Sequence, residues 1–76
     1  MYRELESIVL LRPFPEHGLL AGDVGAIVHV YPDAAALEVE FVTAAGDTIA
    51  VLTLQPDDVR HLAGAEILHA RPLVLA

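Results

Sequence analysis

Gly18-Leu19-Leu20-Ala21-Gly22-Asp23-Val24-Gly25-Ala26-Ile27-Val28-His29-Val30-Tyr31-Pro32-Asp33-Ala34-Ala35-Ala36-Leu37-Glu38-Val39-Glu40-Phe41 is the stretch on which the fold turns. Gly18, Gly22 and Gly25 punctuate a loop, and Gly22-Asp23 is a turn signal that sets up a strand. Gly25 lies inside that strand, where a missing side chain marks a bulge or a close backbone approach. From Ala26 to Tyr31 the run is apolar and β-branched, and simple alternation puts Ile27, His29 and Tyr31 on one face with Ala26, Val28 and Val30 on the other. Pro32-Asp33-Ala34-Ala35 makes a turn of about four or five residues, because neither Asn-Gly nor Asp-Gly is present to close a tighter one. Leu37, Val39 and Phe41 then alternate with Glu38 and Glu40, which turns the aliphatic residues inward and the carboxylates to solvent.

Outward from this hairpin the pattern stays β. Ser7-Ile8-Val9-Leu10-Leu11 is a strand that must end by Arg12, since neither Pro13 nor Pro15 can donate to a ladder. Both its faces are apolar, so it is either covered on two sides or meets another chain. The loop from Pro13 to Asp23 is long for a compact domain, and Phe14, Leu19 and Leu20 are expected to fold back as a lid. Thr43 to Asp47 is a further hairpin turn with Gly46 supplying a positive φ. In Thr48 to Leu54, Ile49, Val51 and Thr53 compete with Ala50, Leu52 and Leu54 for the core, and the pattern does not choose between them. Gln55-Pro56-Asp57-Asp58-Val59 reads as one helical turn, with Pro56 suited to its first position and the acidic pair at the positive end of its dipole. Arg60-His61-Leu62 closes the set. The expected fold is all-β: a small five-stranded SH3-like barrel over residues 1–63, with a short helical turn before the last strand, and an apolar tail over 64–76. A five-stranded open sheet is the alternative. The tail must return along the barrel or cover a second subunit, because apolar surface is not left in water without cost.

Composition sets the function classes. The 76 residues allow one domain, with no cysteine to brace it. Asp and Glu total 11 against 4 Lys and Arg, giving a net charge of -7. The basic residues are Arg3, Arg12, Arg60 and Arg71, scattered along the chain, which argues against binding a phosphate backbone. A hydrophobic share of 55% leaves apolar surface over after a small core is filled, as a subunit contact would require. The acidic N-terminus runs into only a short apolar segment, and no stretch approaches the ~20 apolar residues of a spanning helix, so a cytoplasmic protein without membrane association is expected.

Reaction chemistry finds little to use. His17, His29, His61 and His69 have no spacing that puts two imidazoles on one metal from a single element, so no metal site is expected. Glu38 and Glu40 are neighbours on one strand face, whereas an acid/base pair must straddle its substrate; they read as a solubilising face. Asp57-Asp58 reads as helix-start chemistry. Ser7 is the only serine and lacks a nucleophile elbow, and no phosphate-cradling glycine loop is present. Neither enzyme activity nor a cofactor is expected.

Gly22-Asp23-Val24-Gly25-Ala26-Ile27-Val28 followed by Val39-Glu40-Phe41 resembles the opening strands of SH3-like barrels of the KOW type. The chain as a whole resembles a bacterial family of short proteins known as domain of unknown function 4926. Pro15-Glu16-His17-Gly18-Leu19, Gly22-Asp23-Val24-Gly25, Val28-His29-Val30-Tyr31-Pro32, Glu38-Val39-Glu40-Phe41, Gly46-Asp47-Thr48 and Asp58-Val59-Arg60 carry that resemblance, nearly the full length to Arg60. It implies a bacterial SH3-like barrel and brings no catalytic residues.

What remains is recognition of proteins. Phe14, Leu19, Ile27, His29 and Tyr31 are the expected interaction surface, against the alternative of a second small core under the loop. A protein-interaction module, assembling as a homo-oligomer through its first strand and tail, is the leading expectation. An acidic antitoxin or immunity protein that masks a basic partner is the second. A KOW-like nucleic-acid module is the third, disfavoured by charge.

Overall fold

A computed structural model describes residues 1–73; residues 74–76, the end of the expected tail, lie outside the described part. Five strands are present: β1 (Ser7–Leu10), β2 (Val24–Val30), β3 (Leu37–Val42), β4 (Thr48–Leu54) and β5 (Val59–His61). Single 3-10 turns at Pro15–His17, Pro32–Ala34 and Pro56–Asp58 lie in three of the four connections, and the Thr43–Asp47 hairpin turn joins β3 to β4. All pairings are antiparallel, in one sheet of order β4-β3-β2-β1-β5. The fold is all-β with the expected helical turn before the last strand.

The sheet is not closed into a barrel: β4 and β5 form its two edges. It is nevertheless strongly curled, as the connection between the edges shows. Flat, five strands would separate their outer members by about 19 Å. Yet Leu54 passes to Val59 through Gln55 and one 3-10 turn, and such a turn advances only about 2 Å per residue. The turn is held by a reciprocal cap, with the Gln55 N–H donating to the Asp58 carboxylate at 2.9 Å.

The concave side holds the core. Ile8 and Leu10 of β1, Ile27 of β2, Leu37, Val39 and Phe41 of β3, Leu52 and Leu54 of β4 and Val59 of β5 are all buried. Leu19, from the loop after β1, caps them. The alternation in β3 holds as expected. For β4 the structure decides that Ala50, Leu52 and Leu54 face inward. Two bulges adjust the pattern. One lies between Ile27 and His29, where β2 advances two residues against one on β3. The other lies between Phe41 and Val42 on β3, opposite Ile49.

Gly25 explains how tightly β2 and β3 are joined. A Cβ there would lie 2.7 Å from Phe41 Cε1, 2.7 Å from Val39 Cγ1 and 3.0 Å from the Glu40 carbonyl oxygen. Only glycine leaves these two core side chains their positions.

β1 is the second strand from one edge, hydrogen-bonded to β2 on one side and β5 on the other. Its inward Ile8 and Leu10 and its outward Val9 are all buried. The two-sided apolar pattern therefore means double cover within the chain, and β1 is not free to meet another subunit.

Candidate functional site

The expected surface of Phe14, Leu19, Ile27, His29 and Tyr31 does not form as one patch. Ile27 is 0% exposed and Leu19 1%, so both belong to the core. The bulge after Ile27 is the reason, since the extra residue breaks the period of two and turns His29 outward while Val30 packs inward. Phe14 is half-buried against the core, with the Arg12 guanidinium 4.1 Å above its ring. Its backbone closes a small loop with Leu19, the Phe14 N–H donating to the Leu19 carbonyl at 2.9 Å. His29 and Tyr31 do meet, edge to face, with ring centroids 4.7 Å apart. The Tyr31 hydroxyl donates to Glu38, and Thr53 donates to the same carboxylate. This corner is a polar, hydrogen-bonded surface.

An apolar recess lies elsewhere. Residues 64–73 return along the convex side of the sheet and cross the row formed by Val24 of β2, Val9 of β1 and Arg60 of β5, which are cross-strand neighbours. Ion pairs pin this strap on both sides. On the β5 side, Arg60 and Glu66 form two parallel N–H···O bonds at 2.7 Å each, and the Ala63 N–H donates to Glu66 at 2.7 Å. At the approach to β2, the Arg71 guanidinium donates to both Asp23 carboxylate oxygens and to the Gly18 carbonyl oxygen. Bidentate guanidinium–carboxylate pairs fix orientation as well as distance.

Between strap and sheet is a cleft of about 560 Å³, lined by Val9, Leu19, Val24, Phe41, Ile49, Leu62 and the strap residues. Leu73 lines it as well. Two of the strap's apolar side chains are largely in water, Ile67 at 94% exposure and Leu68 at 71%. Val24 and Val42 are exposed beside them. Apolar surface is thus gathered at one recess of an acidic chain.

The electrostatics hold the strap in place at neutral pH. Hydrogen bonding from Arg71 holds Asp23 below the usual carboxylate range, although its partial burial pushes the other way. Arg60 pulls Glu66 down to about 2, helped by the Ala63 N–H. The arginines are raised in turn by these partners. A third pair, Arg12 with Asp58 at 2.9 Å, ties the end of β1 to the turn before β5. Burial alone would raise Asp58, but the Arg12 and Gln55 hydrogen bonds outweigh it and leave it lowered.

Asp23, Arg60, Glu66, Ile67, Leu68 and Arg71 are absent from the surface expected above. The signal for them was the apolar tail itself, together with the two arginines that close its ends. Among the described residues, no cluster of three or more His, Asp or Glu side chains is placed to hold a metal ion, and no helix is long and apolar enough to cross a membrane.

A family model described as a domain of unknown function (DUF4926) matches residues 4–61, the span from just before β1 to the end of β5. No curated protein and no solved structure matches the chain.

Proposed function

From the premise that the chain belongs to the DUF4926 family, we propose that it is a non-enzymatic protein-interaction module, an open SH3-like barrel of bacterial cytoplasm. Its contact surface is the strapped cleft and the apolar rim around it. The observation that carries this reading is the exposure of Ile67 and Leu68 at the mouth of an apolar recess, on a chain of net charge -7. Such side chains add nothing to folding while they are in water, and burying each in a partner would contribute about 1.5–3 kcal/mol. The paired arginines at the two ends of the strap provide a polar rim around the apolar centre, the usual anatomy of a protein contact.

The experiment compares the wild-type chain with Ile67→Asp/Leu68→Asp, each immobilised and exposed to extract of the source cells. The expected result is a partner retained by the wild type and lost by the double variant at unchanged melting temperature. Equal retention by both would refute the assignment of the surface. A second reading, an acidic protein that masks a basic partner, is favoured by the net charge. It predicts that the captured complex releases steeply between low and moderate salt, whereas an apolar contact does not.

A further inference from the structure

We infer that the outer edge of β4 is the surface on which two copies of this chain pair, antiparallel, into a continuous ten-stranded sheet. The two edges of the sheet differ in kind. β5 has three residues, carries Arg60, and is flanked by the strap through the Arg60–Glu66 pair. β4 has seven residues, Thr48-Ile49-Ala50-Val51-Leu52-Thr53-Leu54, with no charge, proline or glycine among them. Among the described residues, no segment other than β3 hydrogen-bonds to its backbone. Natural edges are blunted by charge, proline, bulges or brevity. Here the only such device is the bulge at Ile49, and it leaves Ala50–Leu54 regular.

A second copy satisfies this edge because antiparallel pairing about a two-fold axis is self-complementary: one strand supplies both partners. An axis normal to the sheet and passing through Leu52 keeps the two cores on the same side, so Leu52 meets its equivalent and Ala50 of each copy faces Leu54 of the other. On the outer face, Val51, 48% exposed, faces the exposed Thr53 of the other copy. Charge favours this place over others. Two chains of net charge -7 repel wherever carboxylates approach, but β4 has none. Asp47 stands just before the strand, outside the regular segment Ala50–Leu54, and Glu38 and Glu40 on β3 accept hydrogen bonds from Thr53 and Thr48 of their own chain. In the pair the two β3 strands would stand about 14 Å apart, three strand spacings, beyond the ~8–10 Å screening length of physiological salt.

The regular edge is only about 17 Å long, too short for the ~1,200 Å² of a stable complex, so pairing is weak, with a dissociation constant on the order of 100 µM. The pairing segment Ala50–Leu54 does not line the cleft, which takes only Ile49 from β4, so occupation of the cleft and pairing of the edge are read separately.

Sedimentation equilibrium from 10 µM to 2 mM tests it (roughly a decade either side of that constant), with Val51→Lys and Thr53→Lys as variants. Both positions are exposed, and a lysine at either faces Glu40 or Glu38 across the strand pair, so the monomer keeps its fold. The wild type is expected to rise towards twice the 8.1 kDa chain mass. Both variants are expected to weaken association at least tenfold, with concentration-dependent amide shifts in the wild type confined to Ala50–Leu54 and its β3 neighbours. A wild type that stays monomeric at 2 mM overturns the inference, as does a variant that associates like the wild type. Shifts centred on Ile67 and Leu68 would also overturn it, since they would assign self-association to the cleft. Partner capture by the cleft is read separately from Ile67→Asp/Leu68→Asp, so either result can fail without the other.

Discussion

Replacing Gly25 with alanine adds one methyl group at the most crowded point between β2 and β3. Its φ is not in the left-handed region, so the backbone admits alanine, and the loss of chain entropy in the unfolded state would by itself stabilise the fold by about 0.4–1 kcal/mol. Against this, the new Cβ would sit 2.7 Å from Phe41 Cε1 and 2.7 Å from Val39 Cγ1, about 1 Å inside ordinary contact. Neither neighbour is the free end of a flexible chain, since both are fully buried. The Glu40 carbonyl at 3.0 Å blocks a retreat along the backbone. Overpacking of this kind costs about 1–3 kcal/mol, so the steric effect wins and the net loss is about 1–2 kcal/mol. For a domain of this size that lowers the melting temperature by roughly 5–15 °C. Urea unfolding is the assay, with the midpoint shifted and the slope m unchanged. Gly64→Ala is the control, because its Cβ would meet nothing within 4 Å and its φ is not positive. A Gly25→Ala protein as stable as the wild type would refute the close packing of β2 on β3.

Leu19→Ala, which removes the loop's contribution to the core, is expected to cost about 2–5 kcal/mol, measured by the same denaturation; Tyr31→Ala, at the exposed corner, should change stability little. Arg71→Ala frees one end of the strap, and amide exchange is expected to rise for residues 66–73 while β1 to β3 keep their protection. Acid should act on the same contacts. Asp23 and Glu66 have folded pKa values depressed below their unfolded ones, so their contribution is fully present above the ordinary carboxylate range. It is lost as pH falls, for Glu66 from its ordinary 4.5 through about 2. Stability followed by circular dichroism should therefore be flat from pH 7 to 5 and decline below, with a smaller decline in Arg71→Ala.

The parts of this fold that could be read in the sequence are those with unbroken periodicity. Leu37, Val39 and Phe41 announce their burial because Glu38 and Glu40 interrupt them, and the Gln55-Pro56-Asp57-Asp58 turn carries its own capping chemistry. Simple alternation puts Ile27 and His29 on one face, and the structure parts them because a bulge is a matter of pairing between strands; nothing in Ile27-Val28-His29 marks the residue that is left unpaired. In β4 both faces are apolar, and only the partner strand selects Leu52 and Leu54. Openness was equally hidden, since an SH3-like barrel and a curled open sheet need the same strands and turns, and differ only in whether β4 and β5 meet. The strap was legible as apolar sequence that needed cover, but its position depends on Arg71 finding Asp23 48 residues away, a pairing no local pattern encodes. Charge was the most direct guide, because a total of -7 constrains partners whatever the fold.

The central claim, that this chain acts by protein contact at the strapped cleft, is tested most directly by amide chemical shifts of the isotope-labelled protein titrated with the partner captured from its source cells. Perturbations are expected at Val24, Val42, Leu62, Ile67 and Leu68, with the His29–Tyr31 corner unmoved. A perturbation map centred on His29 and Tyr31, with Ile67 and Leu68 unaffected, would contradict it.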